Sequence, residues 1–428
     1  MTTSISSLPN GIRIITDAVD RVETAAISIW VNVGSRHEPI EITGAAHFIE
    51  HMAFKGTPTR TAKEIAESVE AVGGHLNAAT AREFTAFYGR VLKEDIPLAM
   101  EVLADIMQDS AFEHAEFDRE RDVVLQEIAQ SQDTPDDIIF DHFQQTAFPG
   151  QNLGLPILGT ADVIKSVSAE TLKSYMRQHY TGGNIVIAVS GNTNHDHVMQ
   201  LAKEHFGGFP HKTQQPTEDV SYVGGDFRQI KDLEQAHIVM GFEGVSLDDP
   251  DYYAASILAT ILGGGMSSRL FQEVREKRGL VYSVYAFKSS FVDTGLFGVY
   301  AGTAGHHVKE MMPVICNEIQ KIANTPIPED EIKRARSQMK AGLMMGLEGM
   351  SNRAEQLAQH MTFFGRPIPR AELIDRIDAV DAEALLRVAQ KIFSSKPTIA
   401  AMGPVHDLPE YTELESLLGN ASSMPCAS

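Results

Sequence analysis

Cysteine is nearly absent: the chain has two in 428 residues, Cys316 and Cys426. Two thiols so placed give neither a disulfide framework nor zinc-ribbon spacing, and a reducing compartment fits. Long apolar runs are missing as well. None approaches the roughly 18 residues of a membrane helix, so no membrane span is expected. Residues 1–15 lack a basic stretch followed by an apolar core, so no secretory signal is expected, and with strand-like sequence beginning almost at once no transit peptide is expected either. Bacterial cytoplasm is therefore the expected compartment, in preference to the mitochondrial matrix. Positive charge is the third shortage. Lys and Arg number 36 against 57 Asp and Glu, a net charge of −21. That argues against nucleic acid as a partner and suits basic peptides, which a negative cavity attracts.

What is present is ordinary for a globular protein: 43% hydrophobic and 22% charged residues, in a length that accommodates two or three cores. Residues 11–34 read as strands, with Ile27, Ile29 and Val31 alternating. Helical periodicity follows over 44–54, 61–72, 95–108, 114–130, 136–147, 169–179 and 197–206, with a strand pair around 79–83 and a buried strand over 184–190. Residues 211–226 lose all periodicity and read as a linker. The second half repeats the first: strand 236–242, helix 252–262, strand 297–301 and a helix through Ile322, helix 328–342, strand 398–403. A period near 210 residues means a duplicated domain. The expected organisation is a domain over 1–210, a linker over 211–226 and a homologous domain over 227–428.

Chemistry concentrates in His47-Phe48-Ile49-Glu50-His51. On a helix, positions three and four apart share a face, so His47 and His51 can aim two imidazoles at one metal with Glu50 beside it. Thr43 is the expected N-cap, and Lys55-Gly56 closes the helix. A catalytic zinc keeps a coordination position for water, and a nearby carboxylate can take that water's proton. His-x-x-Glu-His is the inverted form of the common zinc-protease motif. The second half has AASILATILGG in the equivalent helix, so only the first half can hold this site. Downstream, Phe117, Glu120, Val124, Glu127 and Ile128 share one helical face. Two carboxylates on an otherwise apolar face are best explained by a cation that holds them inward.

These residues resemble the pitrilysin-type metallopeptidases, in the branch of the mitochondrial processing peptidase and its bacterial relatives. The string from His47 to Thr57 is similar to that branch's signature, and Glu127 follows His51 by 76 residues (127 − 51), the family's spacing to a third ligand. The resemblance extends over essentially the whole chain. It implies an α+β fold of two homologous domains, each a mostly antiparallel sheet of six-stranded type packed with helices, together forming half of a clamshell. It implies one Zn2+ on His47, His51 and Glu127, Glu50 as the base, and Glu120 orienting His51 or its helix. It also implies that Arg275 and Tyr282, seven apart, bind substrate and the developing oxyanion, and that the segment containing Asn77 and Ala78 is a substrate-binding edge strand. Asp137 and Asp141 match the acidic pair that holds a substrate arginine, and Phe54 matches the contact for the residue after the cut. The implied protein is a zinc endopeptidase acting on extended, basic or presequence-like peptides, as a homodimer or a heterodimer with a related subunit. Two readings stay open beside it: a non-catalytic scaffold subunit, and a subunit active only with a distinct partner.

Overall fold

A computed structural model describes residues 2–212 and 218–419. Cys426 lies outside the described residues, as do positions 213–217 of the expected linker; the linker's last two positions already belong to a strand.

The chain forms two compact units. The first contains a six-stranded sheet built from β1 (Thr2–Ser7), β2 (Arg13–Ala18), β3 (Thr24–Val31), β4 (His75–Thr80), β5 (Thr85–Leu92) and β6 (Ile185–Gly191). Their order is β1-β2-β6-β3-β5-β4, antiparallel except for β2 with β6. Strand alternation makes the two faces different. Ile27 and Ile29 of β3 and Phe87 of β5 point to one face, where Phe48, Ile49 and Met52 of helix Ala45–Ala53 join Leu103 and Ile106 of helix Ile96–Gln108 in the main core. Trp30, Ala86, Val186 and Ala188 point to the other, where Ala358 and Met361 of helix Met350–Phe363 meet them. A buried ion pair fastens that helix, with Arg353 Nε 2.9 Å from Asp17 Oδ2 on β2.

The second unit has a five-stranded sheet: β7 (Gly225–Ile230), β8 (Ala236–Glu243), β9 (Ser283–Ser290), β10 (Gly295–Thr303) and β11 (Thr398–Gly403). The order is β7-β11-β8-β10-β9, again with one parallel pair, β7 with β11. Among the described residues it has one strand fewer than the six expected per domain.

The compact units are not the two contiguous halves of the sequence. Residues 131–154 belong to the second unit and 343–368 to the first. Helix Pro135–Ala147 lays Ile139 and Phe143 on Val239, Ala400 and Met402 of the second sheet. A Cβ on Gly241 would meet the Phe143 ring at 2.3 Å, so glycine is required where that ring sits on the sheet. Helix Met350–Phe363 covers the first sheet in the same way. Each half thus lends one helix to the other unit, because a sheet with two apolar faces needs a cover on both.

Candidate metal centre

Three elements of the first unit converge on the site. Helix Ala45–Ala53 carries His47, Glu50 and His51; helix His114–Gln132 carries Glu120 and Glu127; β4 ends at Thr80. The two helices are locked by Phe48 stacked on Phe117, ring centroids 4.7 Å apart and 8° from parallel.

His51 Nε2 lies 3.3 Å from His47 Nε2. Glu127 Oε2 lies 3.4 Å from each of them. A hydrogen bond can link one pair of these atoms, but a bound cation accounts for all three sides of the near-equilateral triangle at once. Donors on a tetrahedral zinc, bound at about 2.0–2.1 Å, stand about 3.3–3.4 Å apart. The triangle therefore fits zinc, and these three residues are the only such His/Cys/Asp/Glu group found among the described residues. Burial, with the neighbouring His51 second, pushes the His47 imidazole down to about 4. It is neutral at pH 7, which is the form that can donate a lone pair.

The supporting contacts are specific. His51 Nδ1 is 3.1 Å from Glu120 Oε2, and Glu120 Oε1 accepts from Lys55 Nζ at 2.7 Å. Glu120 is buried, as its place on the apolar face implied. Glu50 Oε2 accepts from Thr80 Oγ1 at 2.6 Å. Burial raises the Glu50 carboxyl above the usual range, while the Thr80 hydroxyl bond and nearby His51 work the other way.

The helix start differs from expectation. Gly44 is the N-cap, at φ 92°, and Thr43 gives no capping bond; its Oγ1 is buried without a partner among the described residues. The N–H groups of the first turn are met by Glu38 instead. Its two carboxylate oxygens accept from Gly44 N and Ala46 N, both at 2.7 Å. A carboxyl group from upstream replaces a local hydroxyl because its two oxygens reach two N–H groups of the first turn at once. Sequence reasoning missed Glu38, since no fixed spacing marks a cap that comes from a separate turn. It missed Thr80 as the Glu50 partner too, although the alternation of β4 places Thr80 on the face of Leu76 and Ala78.

β4 is an edge of its sheet, with no second strand partner among the described residues. Asn77 Oδ1 accepts from Ala78 N at 2.9 Å; Ala78 is buried and Asn77 exposed. Phe54 ends the zinc-site helix and packs partly buried against the main core. The remaining expected residues lie in the second unit. Asp137 is exposed and Asp141 half-buried on helix Pro135–Ala147. Arg275 sits in a π-helical turn, Phe271–Glu276, its guanidinium 4.9 Å from the Phe271 ring centroid. Gly279 stops that turn at φ 62°, and Tyr282, 62% exposed, precedes β9. His195 hydrogen-bonds Ser6 and Thr16, and Asn194 caps its helix.

Comparison with known proteins agrees with this geometry. The insulinase (peptidase family M16) domain matches residues 13–161, and the peptidase M16 inactive domain matches 166–339. An uncharacterized zinc protease of Rickettsia felis is 40% identical over 402 residues, covering 94% of this chain and 97% of that protein. A probable mitochondrial-processing peptidase subunit beta of Arabidopsis thaliana is 40% identical over 427 residues, covering 96% of this chain and 80% of that one. Among solved structures, a chain of complex III2 from Candida albicans superposes with a TM-score of 0.86 at 22% identity, covering 97% of this chain and 99% of that one, a likeness of fold. With a zinc-sized donor triangle on an inverted motif and near-full-length relatives named zinc proteases, this chain belongs to peptidase family M16, the pitrilysin-type zinc metallopeptidases.

Proposed function

We propose that the chain is a zinc endopeptidase that hydrolyses extended, basic peptides. The observation that carries this reading is the donor triangle of His47, His51 and Glu127 beside a carboxylate, Glu50, tied to the end of a free sheet edge. Zinc, when bound there, supplies a Lewis acid that makes a water acidic near neutral pH. Glu50 takes the proton from the water that attacks the scissile carbonyl, then delivers a proton to the leaving amine. Its burial favours the protonated state it passes through. Glu120 fixes the ring of His51 through Nδ1. An extended peptide pairs with β4 by main-chain hydrogen bonds, displacing the Asn77 amide from Ala78 N.

The family resemblance assigns the rest. Arg275 and Tyr282 of one subunit bind substrate and the oxyanion at the metal site of the other, across a dimer. Asp137 and Asp141 hold a substrate arginine, and Phe54 meets the residue after the cut. The contiguous halves then divide the work, the first bearing the metal and the second substrate contacts. Cys316, buried and with its thiol pushed up to about 12, suits a reducing compartment such as bacterial cytoplasm. No described helix is long and apolar enough to cross a membrane.

The fold is shared with a complex III chain, so fold alone does not distinguish a peptidase from a structural subunit. The complete set of ligands and base favours the peptidase. The test pairs zinc content with cleavage of a quenched arginine-containing peptide, in wild type and Glu50→Gln. Cleavage by wild type, with about one zinc per chain but no cleavage in the variant, is expected. Zinc without cleavage in wild type points to a missing partner subunit. Absence of both means a scaffold.

A further inference from the structure

The second face of the first unit's sheet is covered unevenly. Helix Met350–Phe363 packs chiefly on β3, β6 and β2. Beside it, over β5 and β4, lies a cavity of about 470 Å3. Its floor follows from the register. Ala79 of β4 pairs with Ala86 of β5, and Ala86 pairs with Trp30 of β3. Directly opposed residues point to the same face. Two methyl groups in line therefore make a low channel running in from the free edge. Trp30, stacked on Phe84 with centroids 3.7 Å apart, closes its inner end. Tyr88, two residues beyond Ala86, forms a side wall, and Ser351 and Glu355 of the covering helix form the rim.

We propose that this cavity is a substrate subsite that takes a large apolar or aromatic side chain from the peptide residue lying opposite Ala79. The inference rests on the peptidase reading above. A peptide paired with β4 turns its side chains alternately to the two faces of the sheet. The residue opposite Thr80 shares the face on which the Thr80 hydroxyl meets Glu50. Its neighbour, opposite Ala79, points to the other face and into the channel. The subsite therefore reads a residue next to the one over the base. Ala79 is exposed and adds only a methyl group, so an aromatic side chain passes across it to reach Ala86 and Trp30, whereas an alanine stops short. A larger side chain at position 79 would occupy the entrance.

Trp30 is the chain's single tryptophan, which makes the inner wall its own reporter. Zinc-loaded Glu50→Gln protein is titrated with a series of otherwise identical basic peptides, each with one 4-iodophenylalanine moved along by one residue. Binding is followed separately by the anisotropy of a terminal label. Quenching of Trp30 emission is expected to alternate along the series, with one clear maximum, since heavy-atom quenching needs contact. In the active protein, Ala79→Leu is expected to reduce the preference for phenylalanine over alanine at that position by about tenfold in kcat/KM. Quenching that is absent or independent of position while peptides bind overturns the subsite and leaves the peptidase reading standing. So does a preference that stays within about twofold in Ala79→Leu. If wild type cuts no peptide and Glu50→Gln binds none, both readings fall together. The iodophenylalanine series leaves the cavity residues untouched, so its outcome does not depend on whether Ala79→Leu folds.

Discussion

Glu120 offers the sharpest test of how the metal centre is held. Its carboxylate is 8% exposed and divided between two partners: Oε2 at 3.1 Å from His51 Nδ1 and Oε1 at 2.7 Å from Lys55 Nζ. Lys55 is 31% exposed, so on losing the contact it turns to water at little cost. His51 cannot do the same. On the proposed reading, its Nδ1 contact with Glu120 fixes the tautomer and the ring angle that aim Nε2 at the donor triangle. Removing such a partner typically weakens metal binding by about 10- to 100-fold, or about 1.4–2.7 kcal/mol. Glu120→Gln keeps an oxygen for Nδ1–H but loses the charge, and should fall near the lower figure. Glu120→Ala leaves Nδ1 unpaired and should fall near the upper one. The assay is zinc affinity by competition with a chromophoric chelator at fixed pH, alongside the unfolding midpoint of metal-free protein. Affinities of both variants within about twofold of wild type would refute the orienting role. A large loss of metal-free stability with unchanged affinity would make Glu120 a packing residue instead.

Other outcomes follow from the same contacts. Burial raises the Glu38 carboxyl to about 8, against 4.5 for an ordinary glutamate, despite two backbone N–H bonds that work the other way. The folded chain then keeps a proton that the unfolded chain has lost, so stability due to this group is full at low pH and falls as pH rises towards about 8. Glu38→Gln cannot ionise and should flatten that slope in urea unfolding between about pH 5 and 8; a wild type that gains on the variant as pH rises would contradict it. Arg353→Ala strands the Asp17 carboxylate under the helix that covers the first sheet, at a cost of about 3–5 kcal/mol in urea unfolding. A cost below about 1 kcal/mol would mean that the pair adds nothing there.

Much of this protein was legible in its residues. Two imidazoles four apart and two carboxylates on an apolar face imply a metal because helical spacing is local and burying such groups unpartnered is costly. The same locality marked the helices over 169–179 and 95–108 and the strand over 398–403, each within a residue or so of its place in the fold. Only the tertiary structure decided what depends on distant chain segments. The donor triangle closes because Phe48 stacks on Phe117, bringing together helices more than sixty residues apart in sequence. The cap on the zinc-site helix comes from Glu38 and not Thr43, since a backbone N–H takes the acceptor that tertiary packing delivers. The exchange of helices between the compact units follows from which sheet face remains uncovered, and periodicity records an apolar stripe without its partner. The register that aligns Ala79, Ala86 and Trp30 was hidden for the same reason. Sequence sets which side chains alternate along a strand, but which residues of three strands stand opposite one another is fixed only when the sheet forms.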